Sequence, residues 1–285
     1  MLSILIPRYN YNLVPLVKEL HNQVMSCAID FEILAYDDAS KHNYNIENKT
    51  INSLKNCTFK ELPNNIGRSR IRNKLGLDAK YNTLLFIDAG TFPQKKDFIK
   101  NYLVLKDKPV VNGGMALLKN PPKPPFKLRW LYTKKRETKK GLHSCNFMIK
   151  KKSFINNLFD ESIIKYGYED VLFFDTLKKN NCPVYVFNNP VLHQADDDAN
   201  TFIKKNENAI ENLVDLINYK KIHKDRVRIS KYFYFLKPFR LNKIVLFSFK
   251  VFKPLLLLNF NSSRPSLILF DFYRLGYFCS IKNKE

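Results

Sequence analysis

Over the N-terminal part of the chain, short apolar runs alternate with segments whose apolar side chains recur every three or four positions. Leu2–Ile6, Phe31–Tyr36, Cys57–Leu62, Thr83–Ile87 and Pro109–Asn112 are short runs, mostly apolar and rich in branched and aromatic residues, as expected of buried strands. Between the first two, Leu13, Leu16, Val17, Leu20 and Val24 share one face of a helix, and Ile71, Leu75 and Ala79 repeat the pattern after Gly67. Strand alternating with helix at this pitch predicts an α/β fold, a mostly parallel central sheet flanked by helices. Ligands of such sheets bind beyond the carboxyl ends of the strands. The residues to inspect are therefore Pro7, Arg8, Tyr9 and Asn10, then Asp37 and Asp38, then Asp88.

Further along, Asn120–Pro125 contains four prolines and reads as a surface loop. A basic stretch, Lys134–Lys140, precedes a small-residue strand around Ser144–Ile149. Glu169–Leu177 suits a helix, Pro183–Phe187 a strand and Ala199–Ile217 a longer helix. Beyond Arg226 the character changes: Lys231–Arg240 and Ile244–Phe260 mix aromatics, leucines and bases with almost no acids. Lys250 and Lys253-Pro254 interrupt the longest apolar portion, which falls short of the ~20 apolar residues a spanning helix needs. The expected organisation is one domain over residues 1–222 and a basic, aromatic-rich helical extension over 223–285. Such a segment suits a membrane interface, drawn there by anionic lipid. The competing reading is that its helices pack on the core with the lysines directed outward.

Composition adds one constraint. Against 26 acidic residues stand 48 lysines and arginines, a formal charge of +22, which calls for an anionic partner. Nothing matches a nucleic-acid module, so no specific nucleic-acid partner is expected. The five cysteines form no C-x-x-C pair, which argues against zinc and disulfides and for a reducing, cytoplasmic setting. The first apolar stretch is too short for a secretory signal and runs into Pro7.

Candidate chemistry lies at the strand ends and helix starts. Gly67 allows a tight entry into a helix whose free N–H groups favour anions. Arg68, Arg70 and Arg72 follow, and guanidinium forks match phosphate oxygens; Arg68 and Arg72 share a helix face. Asp37 and Asp38 suit a hydrogen bond to a nucleobase, or equally a turn. Asp88 would face a ribose or a divalent cation, and His193 is a nitrogen ligand or a structural residue. Glu169 and Asp170 open a helix, where the dipole favours acids, and either one is placed to serve as a general base.

In this order and spacing, the segments Leu2–Asn10, Glu32–Ser40, Asn65–Asn73, Leu84–Asp88, Ser144–Ile149, Phe159–Glu161, Gly167–Asp170 and Pro190–His193 resemble family 2 glycosyltransferases of the GT-A fold. The likeness covers about the first 220 residues. It implies an inverting hexosyltransferase that takes a sugar from a nucleotide-sugar donor, a UDP-sugar by the family pattern. The acceptor would be a glycan or a lipid-linked sugar in surface polysaccharide or lipopolysaccharide synthesis, at the cytoplasmic face of the cell membrane. On the family pattern Asp170 is the base and Glu169 binds acceptor. Pro7, Tyr9, Asn10, Asp37, Asp38, Gly67, Arg68, Arg72 and Asp88 surround the donor nucleotide, and Asp88 with His193 holds Mn²⁺ or Mg²⁺. One departure stands out: Asp88-Ala89-Gly90 lacks the second carboxylate of the D-x-D motif. That leaves a weaker metal site, metal-independent transfer aided by Arg8 and other basic groups, or a non-catalytic nucleotide- or glycan-binding protein.

Overall fold

The computed structural model describes residues 1–41, 44–118, 120–138 and 142–283. The chain forms two compact units: Met1–Leu118 with Glu137–Ile164 and Glu169–Gln194, and Lys119–Arg136 with Lys165–Tyr168 and Ala195–Glu285.

Among the described residues, ten strands belong to the first unit. In chain order they are β1 (Leu2–Arg8), β2 (Phe31–Asp37), β3 (Cys57–Glu61), β4 (Thr83–Ile87), β5 (Thr91–Pro93), β6 (Val110–Asn112), β7 (Met115–Leu117), β8 (Asn146–Lys150), β9 (Val184–Val186) and β10 (Val191–His193). Seven build the central sheet in the order β3-β2-β1-β4-β8-β6-β9, and β5-β10-β7 form a small second sheet. β1 runs parallel to β2 and β4, whereas β8 runs antiparallel to β4 and β6. The predicted mostly parallel sheet is therefore present, with β8 reversed at its middle.

The strands alternate two destinations for their side chains, as the two-residue pleat requires. Leu2, Ile4 and Ile6 of β1, with Ile33, Leu85 and Ile87, pack against Leu16, Val17 and Leu20 of the Val14–Met25 helix and Phe98, Ile99 and Tyr102 of the Phe98–Val104 helix. Leu5, Leu34, Leu84 and Phe86 point the other way, to Ile71 and Leu75 of the Arg68–Asp78 helix and Phe173, Phe174 and Leu177 of the Glu169–Lys179 helix. Burial on both faces explains why these strands read as continuous apolar runs. The second face is rich in phenylalanine: Phe159 stacks on Phe173 with centroids 4.0 Å apart, and Phe86 on Phe147 at 4.9 Å.

The second unit is helical, with helices at Lys127–Tyr132, Ala199–Asn218, Arg228–Leu236, Leu241–Phe260 and Leu267–Lys282. Asp198 caps the longest of these by accepting from the amides of Asn200 (2.9 Å) and Thr201 (3.0 Å). Its aromatic core joins Phe202, Phe249, Phe260, Phe270 and Tyr273. The hydroxyls of Tyr273 and Tyr277 donate to Glu207 and Glu211, both at 2.7 Å, tying the last helix to Ala199–Asn218. The division near residue 195 differs from a boundary at 222–223, because the apolar face of Ala199–Asn218 is covered by this helical unit. Helical pattern alone does not say which partner covers a face. Within the basic stretch, Lys139 and Lys140 lie outside the described residues.

Gly76 provides a test of the packing. A Cβ there would lie 2.2–2.9 Å from three ring atoms of Phe154, a fully buried ring wedged between Phe86, Phe159 and Phe173. Alanine in place of a helical glycine gains about 1 kcal/mol of propensity, but overpacking a core costs about 1–3 kcal/mol. Overlap this deep puts Gly76→Ala at the upper end of that range. Its denaturant midpoint is expected to fall with an unchanged m-value; a rise would show that the ring yields freely.

Candidate active site

The carboxyl ends of β1, β2 and β4 place the predicted residues, and two groups of them emerge. In the first, Arg8 and Asp37 form a buried ion pair, Nη1 to Oδ1 2.7 Å, with both side chains inaccessible to solvent. Asp37 also accepts from the Ser40 amide (3.0 Å), the Ser40 hydroxyl and Asn45 (3.3 Å), while Arg8 reaches the Asn45 side chain and the Tyr11 carbonyl (2.7 Å). Asp38 accepts the amides of Ile66 (2.6 Å) and Gly67 (3.0 Å). Burial pushes its carboxyl pKa up, and those two amides hold it back. Asp38 thus fixes the loop that enters the Arg68–Asp78 helix, where Gly67 takes the positive φ of 85° that favours glycine. Arg8 is committed to Asp37, so the expectation that it adds free charge for a diphosphate is corrected. Pro7 remains in β1 opposite Tyr36; Tyr9 is half-exposed, and Asn10 has a left-handed backbone with its amide 2.7 Å from the Ser40 hydroxyl.

The second group is electrostatic. Arg72, 2% exposed, sends Nη2 to Asp88 Oδ1 at 2.6 Å, and its guanidinium lies over the Phe159 ring at 5.6 Å. Arg68, one turn earlier on the same face, stands 3.6 Å from Asp88 Oδ2 and donates Nε to Glu169 Oε1 at 2.5 Å. Its side chain is 44% exposed, so a guanidinium is presented to solvent at the helix N-terminus. Asn73 clamps the next segment by donating to the Phe159 carbonyl and Glu161 Oε1 and accepting from the Phe159 amide, each at 2.9 Å. Arg70 points elsewhere, 3.8 Å from Glu161.

Glu169 is buried at the start of the Glu169–Lys179 helix. Burial pushes its carboxyl up, but Arg68 and Arg72 together reverse that, so it is held below its ordinary 4.5. Its second oxygen, Oε2, has no hydrogen-bond partner, the kind of buried acceptor that a donor hydroxyl would satisfy. Asp170 is half-buried beside it, Oδ1 accepting from the Val171 amide at 2.8 Å. Cys145 marks the centre: burial pushes its thiol well up, and the nearby carboxylates of Asp88, Glu137 and Asp170 add to this against Arg72. The Asp88 amide donates to the Cys145 carbonyl at 3.0 Å.

The metal expectation meets an Asp88 that is already paired with cations. Both oxygens of Asp88 face guanidinium groups, and among the described residues no three His, Cys, Asp or Glu side chains gather around a common point. A hard divalent cation needs several oxygen ligands. At Gly90 a Cβ would lie 3.0 Å from the Tyr11 hydroxyl, so the Tyr11 ring packs close beside the position of the missing carboxylate. Tyr11 was not singled out from the sequence; nothing in its neighbourhood marks it. His193 ends β10 opposite Thr91, whose hydroxyl donates to the Asp88 carbonyl at 2.7 Å, and the Gln194 amide reaches the Gly90 carbonyl at 3.3 Å. The backbone thus carries His193 alongside the Asp88–Thr91 turn.

No family model matches the chain, and no curated protein matches it. Solved structures do. A Staphylococcus aureus TarS fragment, residues 1–349, is similar at 16% identity and a TM-score of 0.51, covering all of this chain and 92% of the other. The mannosyltransferase PcManGT from Pyrobaculum calidifontis, in complex with GDP-Man and Mn²⁺, is similar at 14% identity and a TM-score of 0.53, over 76% of this chain and 64% of its own. A longer S. aureus TarS chain is matched at 20% identity, with a TM-score of 0.50, and only 40% of it is spanned. The fold is that of GT-A glycosyltransferases, as the motif resemblance implied.

The Glu169 environment has a measurable consequence. A group whose folded pKa lies below its unfolded value stabilises the protein above the unfolded value, and that stability is lost as pH falls through the folded one. Wild type is therefore expected to lose stability as pH drops below about 4.5, and Glu169→Gln to flatten that part of the pH–stability curve. Equal slopes in the two proteins would remove the Arg68–Glu169 pairing as its cause.

Proposed function

We propose that this protein is an inverting glycosyltransferase that uses a nucleoside-diphosphate sugar, a UDP-sugar by its motif pattern. The acceptor would be a glycan or a lipid-linked sugar of a surface polysaccharide or lipopolysaccharide. The observation that carries the reading is the cluster of Arg68, Arg72, Asp88 and Glu169 with Asp170 beside it, beyond the carboxyl end of β4. Fold alone would not suffice, since one fold hosts many activities.

The reaction is a single displacement. Asp170, as carboxylate, takes the proton of the acceptor hydroxyl; that oxygen forms the new bond to the anomeric carbon as the bond to the donor diphosphate breaks. The electron pair leaves with the diphosphate, and the exposed guanidinium of Arg68 meets its charge. Arg72 holds Asp88 in place from below, at 2.6 Å. Glu169 is assigned to acceptor binding by the motif pattern, with Arg68 fixing its carboxylate.

A second reading, a nucleotide- or glycan-binding protein without turnover, is motivated by Gly90. Two variants and one assay separate the readings, with donor turnover followed in EDTA and with added Mn²⁺. Asp170→Asn is expected to lower turnover by about a hundredfold or more, the scale of general-base removal, while UDP affinity stays within about threefold of wild type. Arg68→Met is expected to weaken UDP binding about tenfold or more, the loss of a charge-assisted contact. Near-normal turnover in Asp170→Asn removes it as base; UDP binding without turnover of any donor in wild type favours the second reading.

A further inference from the structure

The Leu241–Phe260 helix has two apolar faces. Leu246, Phe249, Leu256 and Phe260 are buried. They meet the Leu267–Lys282 helix so closely that a Cβ on Gly276 would lie 2.5 Å from Phe249. On the opposite side Ile244, Phe247, Val251, Leu255 and Leu258 recur at helical spacing and are 53–70% exposed. The preceding helix adds exposed Tyr232 and Phe235, and the 3-10 turn Lys237–Phe239 between the two helices adds Phe239, each more than half exposed. Five large side chains in one stripe are not the scattered surface apolars of an ordinary soluble face.

The charge around the stripe is of one sign. From Arg226 to Phe270 the sequence has no aspartate or glutamate, and Arg228, Lys231, Lys237, Arg240, Lys243 and Lys250 are exposed along these helices. A second copy of the chain, docked face to face, would set like charges against each other. Nucleic acid would meet the bases but leave the aliphatic stripe in water. An anionic lipid surface satisfies both, taking the bases at its headgroups and the stripe among the upper acyl chains. No helix among the described residues is long and apolar enough to cross a membrane.

We propose that the exposed face of Arg228–Phe260 is a docking surface for an anionic bilayer, on which the Leu241–Phe260 helix lies in the plane of the interface with Phe247, Val251, Leu255 and Leu258 inserted. This does not depend on how the donor site is read.

The test is sedimentation of the full chain with vesicles of phosphatidylcholine alone and of phosphatidylcholine mixed with phosphatidylglycerol. Wild type is expected to bind the mixed vesicles, less tightly at high salt, and to bind phosphatidylcholine weakly. Combined Phe247→Ser, Val251→Ser and Leu255→Ser changes should lower partition at least tenfold while UDP binding persists, since none of the three side chains is buried. Lys243→Gln with Lys250→Gln should lower partition on anionic vesicles roughly tenfold or more and leave the weak binding to phosphatidylcholine unchanged. Wild-type partition retained by the serine variant overturns the proposal. So does a wild-type dimer in light scattering that the serine variant dissolves without wild type binding vesicles, or RNA binding that survives the serine changes while vesicles are ignored.

Discussion

The buried guanidinium of Arg72 is the constraint on which the candidate site depends. It is 2% exposed, supported by the Phe159 ring, and holds Asp88 at 2.6 Å. A charge placed this deep is tolerated only with a partner, and removing one member of such a pair costs about 3–5 kcal/mol. Asp88 is thus fixed at the end of β4, and Arg68, one turn along the same helix, is left to share its charge between Asp88 and Glu169. The four side chains neutralise one another internally while keeping one guanidinium open to solvent. Arg68 is the more exposed of the two arginines, its side chain 44% accessible against 2% for Arg72.

The same logic applies to Asp37 and Asp38, which both have internal partners. Asp37 and Asp38 look equivalent in sequence, two carboxylates at a strand end. In the structure Asp37 neutralises buried Arg8, and Asp38 accepts two loop amides. Both roles set the loops around the site instead of presenting a free carboxylate. A single sequence shows that a strand ends in acids; it does not show which bases and amides the tertiary fold brings to them.

The core elements of the sheet were legible because burial on both faces makes β1, β2 and β4 continuous apolar runs, and the helices between them keep a clear period. β5 (TFP) and β7 (MAL) were not, because three residues carry little pattern and neither has the adjacent β-branched pair that marks the equally short β6 (VVN). β8 was found as a strand, but its antiparallel direction depends on connections that the local pattern does not record. Among site residues, the Arg68/Arg72 face followed from helical spacing alone, and their convergence on Asp88 and Glu169 bears that spacing out. Tyr11 was invisible because its part is steric: it occupies the volume beside Gly90, and only coordinates show which residue fills a gap left by glycine.

The substitution at Gly90 gains a physical meaning from that neighbour. Loss of a D-x-D carboxylate by itself would leave a hole that water or an ion fills readily. Here a Cβ at Gly90 would meet the Tyr11 hydroxyl at 3.0 Å, a tight contact that a small shift of the ring relieves, and the remaining aspartate is paired with two arginines. Asp88 therefore has two cationic partners, Arg68 and Arg72, and no second carboxylate two residues on. On the reading proposed above, a leaving diphosphate would be met by this guanidinium charge, whose counter-charge Asp88 and Glu169 supply in the meantime.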